Sequence, residues 1–207
     1  MPSASYRRAV AEATAHHASS KTYSGKFLRP HKPFLTDLVK RLEVSSILDY
    51  GCGKGMQYEW VDPADGLTLE QAWGCEVFKY DPAWPPFAAD PSGTFDLVLC
   101  THVMGSIPLA DLDWVFKRIF GFATKAVYFA EKLGPIKKTA LSAPDERPVG
   151  WSAEQWLEAV TPYAAEFAGE THFSFRYRDA DIGVYVDRYV KPHRQGWLGT
   201  SNRPING

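Results

Sequence analysis

The chain opens with an alanine-rich stretch, residues 5–18, in which Tyr6, Val10 and Ala13 fall loosely on one helical face. After a loop containing Gly25 and Pro30, Phe34, Leu35, Leu38, Val39 and Leu42 recur at helical spacing and predict a helix of about three turns. The pattern then changes. Ser46 to Tyr50 reads as a buried strand that runs into Gly51-Cys52-Gly53-Lys54-Gly55, and Met56 to Trp60 suit the start of a helix. Cys75 to Tyr80 predict a second strand closing at Asp81-Pro82, while Pro85, Pro86 and Pro91 exclude a long regular helix after it. Phe95 to Cys100, FDLVLC, is the clearest buried strand: short, apolar and preceded by a Ser-Gly turn. A helix follows from Leu109 to Phe122, with Leu112, Val115, Phe116, Ile119 and Phe120 on one side, and Ala126 to Ala130 is another strand. The loop from Gly134 to Gly150 leads to a helix over Ser152 to Val160. Thr171 to Arg178 and Ile182 to Val190 then alternate as two strands around Asp179-Ala180-Asp181.

Alternating helices and strands predict an α/β fold with a mostly parallel sheet covered on both faces and a C-terminal antiparallel hairpin near its edge. Ligands on such sheets bind beyond the carboxyl ends of the strands, where the glycine loop lies. The 207 residues suit one domain over 1–190: N-terminal helices forming a lid over 1–42, a core over 43–190, and a loose, flexible tail over 191–207.

Composition narrows the class. With 45% hydrophobic residues and 23 basic against 24 acidic side chains, the chain has none of the imbalance of disordered segments. Charge is unevenly spread, however. Lys21, Lys26, Arg29 and Lys32 occupy an acid-free stretch, and Arg188, Lys191, Arg194 and Arg203 another, so a phosphate-bearing partner is allowed. Cys52, Cys75 and Cys100 form no C-x-x-C pair, and their odd count argues against a disulfide framework. No window reaches the roughly 18 apolar residues of a membrane span, so the expected setting is the cytoplasm. Metal-ligand spacings, a P-loop and G-x-S-x-G are all missing, which leaves metal and hydrolase chemistry without support.

The chemistry sits in Asp49-Tyr50-Gly51-Cys52-Gly53-Lys54-Gly55, a D-x-G-x-G-x-G run directly after a strand. Together with Asp81, 26 positions after Gly55, and the FDLVLC strand, it resembles motif I and its surroundings in class I S-adenosylmethionine-dependent methyltransferases. The likeness spans about Ile47 to Leu133, and DYGCGKG followed by YDPA looks like small members encoded by bacteria and their phages. It implies a doubly wound, Rossmann-like domain that binds S-adenosyl-L-methionine through Asp49, Gly51, Cys52, Gly53, Gly55, Asp81, Pro82 and Thr101. Glycines would let bare backbone approach the cofactor. Asp49 would meet its ammonium, directly or through water, and Asp81 its ribose hydroxyls.

Two rival readings fit less well. A dinucleotide fingerprint would want a glycine where Met56 stands and an acid nearer the loop. Asp81-Pro82-Ala83-Trp84 resembles the D-P-P-aromatic loop of amino-methylating nucleic-acid enzymes, but that loop ends a later strand than the spacing here allows. After FDLVLC, Thr101-His102-Val103-Met104-Gly105-Ser106 departs from the D-V-L-E-H-I-P-like stretch of many relatives, so no catalytic residue transfers from it. His102 and Glu131, at strand ends on the same rim, are the catalytic candidates on their chemistry alone. His16, His17 and His31 precede the core, where a substrate lid is expected. The reading is methyl transfer to an unidentified small-molecule or nucleotide-like acceptor, with nucleic acid ranked lower and oligomeric state unmarked. The alternative is a cofactor-binding, non-catalytic regulatory or scaffold module.

Overall fold

A computed structural model describes residues 1–18, 23–133, 146–178, 185–193 and 196–204. Lys21, Arg194, most of the loop expected from Gly134 to Gly150 and the turn at 179–181 lie outside them. Helix α1 spans Ala4–Ala18 and α2 Lys32–Arg41, followed by β1 Ile47–Tyr50, α3 Leu69–Trp73, β2 Val77–Tyr80 and β3 Phe95–Thr101. Then come α4 Leu112–Phe122, β4 Ala123–Lys132, α5 Ala153–Glu166, β5 Glu170–Arg178, β6 Tyr185–His193 and β7 Gly196–Pro204.

Strands β2-β1-β3-β4-β5, in that order, form a five-stranded parallel sheet. Such a sheet is covered on both faces, which explains why its strands read as continuous apolar runs. The alternation is still visible in where the side chains go. Leu48, Val98, Cys100, Val127 and Phe129 pack with Val115, Phe116 and Ile119 of α4 and with Trp156 and Val160 of α5. Ile47, Leu97, Leu99, Ala126 and Tyr128 pack with Leu35, Leu38 and Val39 of α2 and with Leu69 and Trp73 of α3. Past β5, the main chain of β6 pairs antiparallel with it, Phe173 opposite Val190, and β7 pairs antiparallel with β6.

Four expectations need correction. Met56 to Trp60 form turns rather than a helix. Met56 and Gln57 donate their N–H groups to the carbonyls of Ser24 and Gly25 (3.1 and 2.8 Å), so these donors serve a distant segment instead of a helical ladder. Helix α5 continues through Pro162 to Glu166, because Tyr163 and Ala164 extend its packed face beyond the proline. Residues 196–204, expected as part of a loose tail, form β7; their glycines, Asn202 and Pro204 hide a strand held by main-chain pairing. Finally, Lys32 is not a free cation for phosphate. Its buried ammonium donates to Asp62 (3.0 Å) and to Asp65 (2.6 and 2.8 Å).

No helix among the described residues is long and apolar enough to cross a membrane.

Candidate functional site

A cleft of about 880 Å³, its open mouth included, lies at the carboxyl ends of β1, β2 and β3. Its floor is the loop after β1, with Gly51, Cys52 and Gly53; one wall is Asp81-Pro82-Ala83 after β2, and the other is Thr101, His102 and Val103 at the end of β3. Helix α1 forms a roof through Tyr6, Ala9, Val10, Ala13 and His17, a set spaced along one helical face.

The loop is shaped by close main-chain packing. Gly51 and Cys52 both donate N–H to the Tyr80 carbonyl (2.7 and 3.0 Å), which ties the loop to the end of β2. Gly51, Gly53 and Gly55 all have positive φ, at 87°, 60° and 66°. What their missing side chains admit differs from expectation. A Cβ on Gly51 would meet Val103, one on Gly53 the Tyr23 carbonyl and one on Gly55 the Phe87 ring. These glycines therefore let protein segments close around the loop, and the main chain of Gly51 to Gly53 is left facing the cleft.

Asp81 is fixed from two directions. Its Oδ2 accepts the N–H of Gly53 (2.9 Å) and its Oδ1 that of Ala83 (2.9 Å). Each oxygen keeps acceptor capacity for a ligand. Burial pushes the Asp81 carboxyl above its ordinary range, opposed by the two N–H groups and by His17.

Asp49 and Gly55, both expected at the cofactor, do not line the cleft, whereas Gly51, Cys52, Gly53, Asp81, Pro82 and Thr101 do. Asp49 is fully buried and accepts at Oδ2 from Gln57 Nε2 and Tyr58 Oη, both at 2.8 Å. Burial raises its carboxyl to about 7, and it anchors the turn after the glycine loop. Gln57 was not singled out in the sequence. Its Oε1 accepts the Leu28 N–H (3.2 Å) while its amide holds Asp49, so one side chain joins the N-terminal segment to β1. Tyr23 and Gly25 were missed as well: the Tyr23 carbonyl accepts the Lys54 N–H (2.9 Å), sealing that segment against the loop.

His102 lines the cleft with a left-handed φ of 57°, unusual for a residue bearing a side chain. Its ring packs on Phe27 at 4.2 Å, and its Nε2 is buried without a hydrogen-bond partner. Burial first, then the positive charges of Arg176 and Lys132, lower its pKa to about 4. Glu131, the other catalytic candidate, does not line the cleft. Its Oε1 accepts the Met104 N–H (2.9 Å), and neighbouring N–H groups also face the carboxylate, while burial raises it to about 7. It holds the turn that follows His102. Replacing Glu131 by alanine leaves those N–H groups without an acceptor and is expected to lower stability by about 1–3 kcal/mol, measured by urea unfolding. His31 does not reach the cleft lining; its Nδ1 lies 2.9 Å from Tyr128 Oη in the core.

Among the described residues no group of three histidine, cysteine or acidic side chains is placed to hold a metal ion. Nor does any lysine or arginine among them line the cleft.

Searches of curated proteins and of solved structures returned no match to the chain. A family model described as "Methyltransferase domain" matches residues 21–176, from just before the sealing segment through most of β5 and covering every wall of the cleft except α1. The chain belongs to that family, within the class I S-adenosylmethionine-dependent methyltransferase superfamily.

Proposed function

We propose that the chain binds S-adenosyl-L-methionine in the cleft beneath α1 and transfers its methyl group to a small acceptor bearing an O–H or N–H. The observation that carries this reading is Asp81, an acid locked by the main chain of Gly53 and Ala83 at the end of the second parallel strand. The residues present suit the cofactor in three ways. Asp81 offers acceptors for a ribose diol; the lining combines that acid with no lysine or arginine among the described residues, which favours a cationic ligand; and His17 and His102, each with one buried ring nitrogen that has no partner, are among the lining residues.

Bound S-adenosyl-L-methionine supplies a methyl group already activated by a sulfonium. The protein's share is alignment and dryness. The roof of Tyr6, Ala9, Val10 and Ala13 limits access of water, and the walls confine an acceptor close to His102. With its low pKa, His102 is neutral at pH 7, and in the Nδ1–H tautomer its Nε2 lone pair accepts the proton that the acceptor gives up. The uncharged remainder of the lining, Phe27, Val103 and Ile107 among it, supports a small neutral acceptor over a phosphate-bearing one.

His102→Gln is expected to lower kcat by about 10²–10³ while leaving S-adenosylhomocysteine affinity within about threefold. In the wild type, kcat is expected to stay level from pH 8 to about 5 and to fall as pH drops through the His102 pKa of about 4, because protonation removes the accepting lone pair. An unchanged kcat in the variant would remove the proton-accepting role. Transfer of label from methyl-labelled S-adenosyl-L-methionine to fractionated metabolite pools tests the activity itself. Tight S-adenosylhomocysteine binding with no transfer to any pool would favour a non-catalytic module.

A further inference from the structure

His17 occupies the last turn of α1, before the segment that the family model matches. Its ring is 3% exposed and stacks between Tyr23 (centroids 4.9 Å apart) and Trp84 (5.4 Å). Both aromatic neighbours stack on the ring, and His17 is among the residues that line the cleft. Nδ1 is buried without a partner, and Nε2 lies 3.8 Å from Asp81 Oδ1. That separation is too long for a hydrogen bond. It is short enough for one hydroxyl to bridge, donating to the carboxylate and accepting from Nε2–H.

We propose that His17 is the second jaw of a clamp on the cofactor's ribose, so that α1 closes over the cleft by sharing a sugar hydroxyl with Asp81. The proposal rests on the cofactor reading above and adds a binding residue that the matched family segment does not contain. With the proton on Nε2, Nδ1 presents only a lone pair, so the ring has no buried N–H left unsatisfied. The rest of α1 holds the His17 ring over the cleft. Small residues, Ala9 and Ala13, separate Tyr6 from His17 along the cleft-facing stripe. The helix is packed in place over the cleft: Tyr6 lies in the core cluster and meets Trp114 edge-on (5.2 Å), Ser3 just before the helix bonds Asp111 (2.8 and 2.6 Å), and Arg147 reaches Glu12 (3.3 Å).

The test is isothermal titration of the full chain and of His17→Ala and His17→Gln with two probes, S-adenosylhomocysteine and its ribose-deoxygenated analogue. His17→Ala is expected to weaken S-adenosylhomocysteine about tenfold, the loss of one hydrogen bond, and to weaken the deoxygenated analogue by less than about twofold. His17→Gln, which keeps an N–H donor, is expected to recover part of the loss. A roof residue that merely packs would weaken both probes equally, and that result overturns the clamp. Tighter binding by His17→Ala also overturns it, since the ring would then be a competitor for the cleft. If the wild-type chain binds neither probe, the cofactor reading itself fails and the clamp with it. Wild-type binding that His17→Ala leaves unchanged removes the clamp alone.

Discussion

Replacing Asp81 by asparagine is expected to weaken S-adenosylhomocysteine binding by about a hundredfold or more, the largest binding effect of any single side chain in the cleft. Two effects combine. A carboxylate accepting from both ribose hydroxyls makes two charge-assisted hydrogen bonds, each stronger than a neutral one. Asparagine also brings an NH₂ group against either the Gly53 or the Ala83 N–H, so the loop loses one of the two acceptors that now fix it. The two contributions separate experimentally. Loosening of the loop lowers the ligand-free melting temperature by only a few degrees, whereas loss of the ribose contacts abolishes the rise in melting temperature that a native-state ligand produces. A variant that keeps the ligand-induced rise would show that Asp81 shapes the loop and nothing more.

Gly25→Ala is expected to have the largest effect on structure. A Cβ there would lie 2.2 Å from the Cys52 carbonyl oxygen and 2.8 Å from the Gly55 nitrogen, both main-chain atoms with nowhere to move. The positive φ of 65° adds about 1–2 kcal/mol for any residue with a side chain. The least costly escape is for the segment from Tyr23 to Leu28 to leave the glycine loop. That would break the bonds to Lys54, Met56 and Gln57 and expose Gln57 and Asp49 beneath them. We expect a stability loss of about 3 kcal/mol, rapid proteolysis within that segment and no detectable nucleoside binding. Gly66→Ala is the control. Its φ of 72° is equally left-handed, but nothing lies within 4 Å of the added atom, so only the cost of about 1–2 kcal/mol remains. Equal losses in the two variants would show that the close packing of Gly25 is not what holds the segment down.

The core of the fold was legible because its strands carry local signals. Ile47 to Tyr50 and Phe95 to Cys100 are short apolar runs with turn residues beside them, and each is a buried parallel strand in the structure. The glycine loop and Asp81 were legible for the same reason, since a motif and a strand end lie within one stretch of chain. What escaped depends on contacts between distant segments. Gln57 looks like an ordinary helical residue until Leu28, 29 positions away, donates to it. Gly25 looks like any loop glycine until Cys52 is found against it. Asp49 opens the motif and is expected at a ligand on that ground, while in the structure Gln57 and Tyr58 hold its Oδ2 within the protein and its Oδ1 is buried without a partner. Glu131 stands at a strand end on the correct rim, but the N–H groups after His102 turn its carboxylate into a support. His17 had no signal beyond being a histidine ahead of the core, because its role depends on the approach of α1 to Asp81 and Trp84.

A crystal structure of the chain with S-adenosylhomocysteine tests the central claim most directly. A nucleoside is expected on the main chain of Gly51 to Gly53, its sugar hydroxyls on Asp81, with His102 facing the sulfur side. A nucleoside bound elsewhere, or crystals soaked at millimolar concentration whose cleft stays without it, would show that this cleft is not a cofactor site.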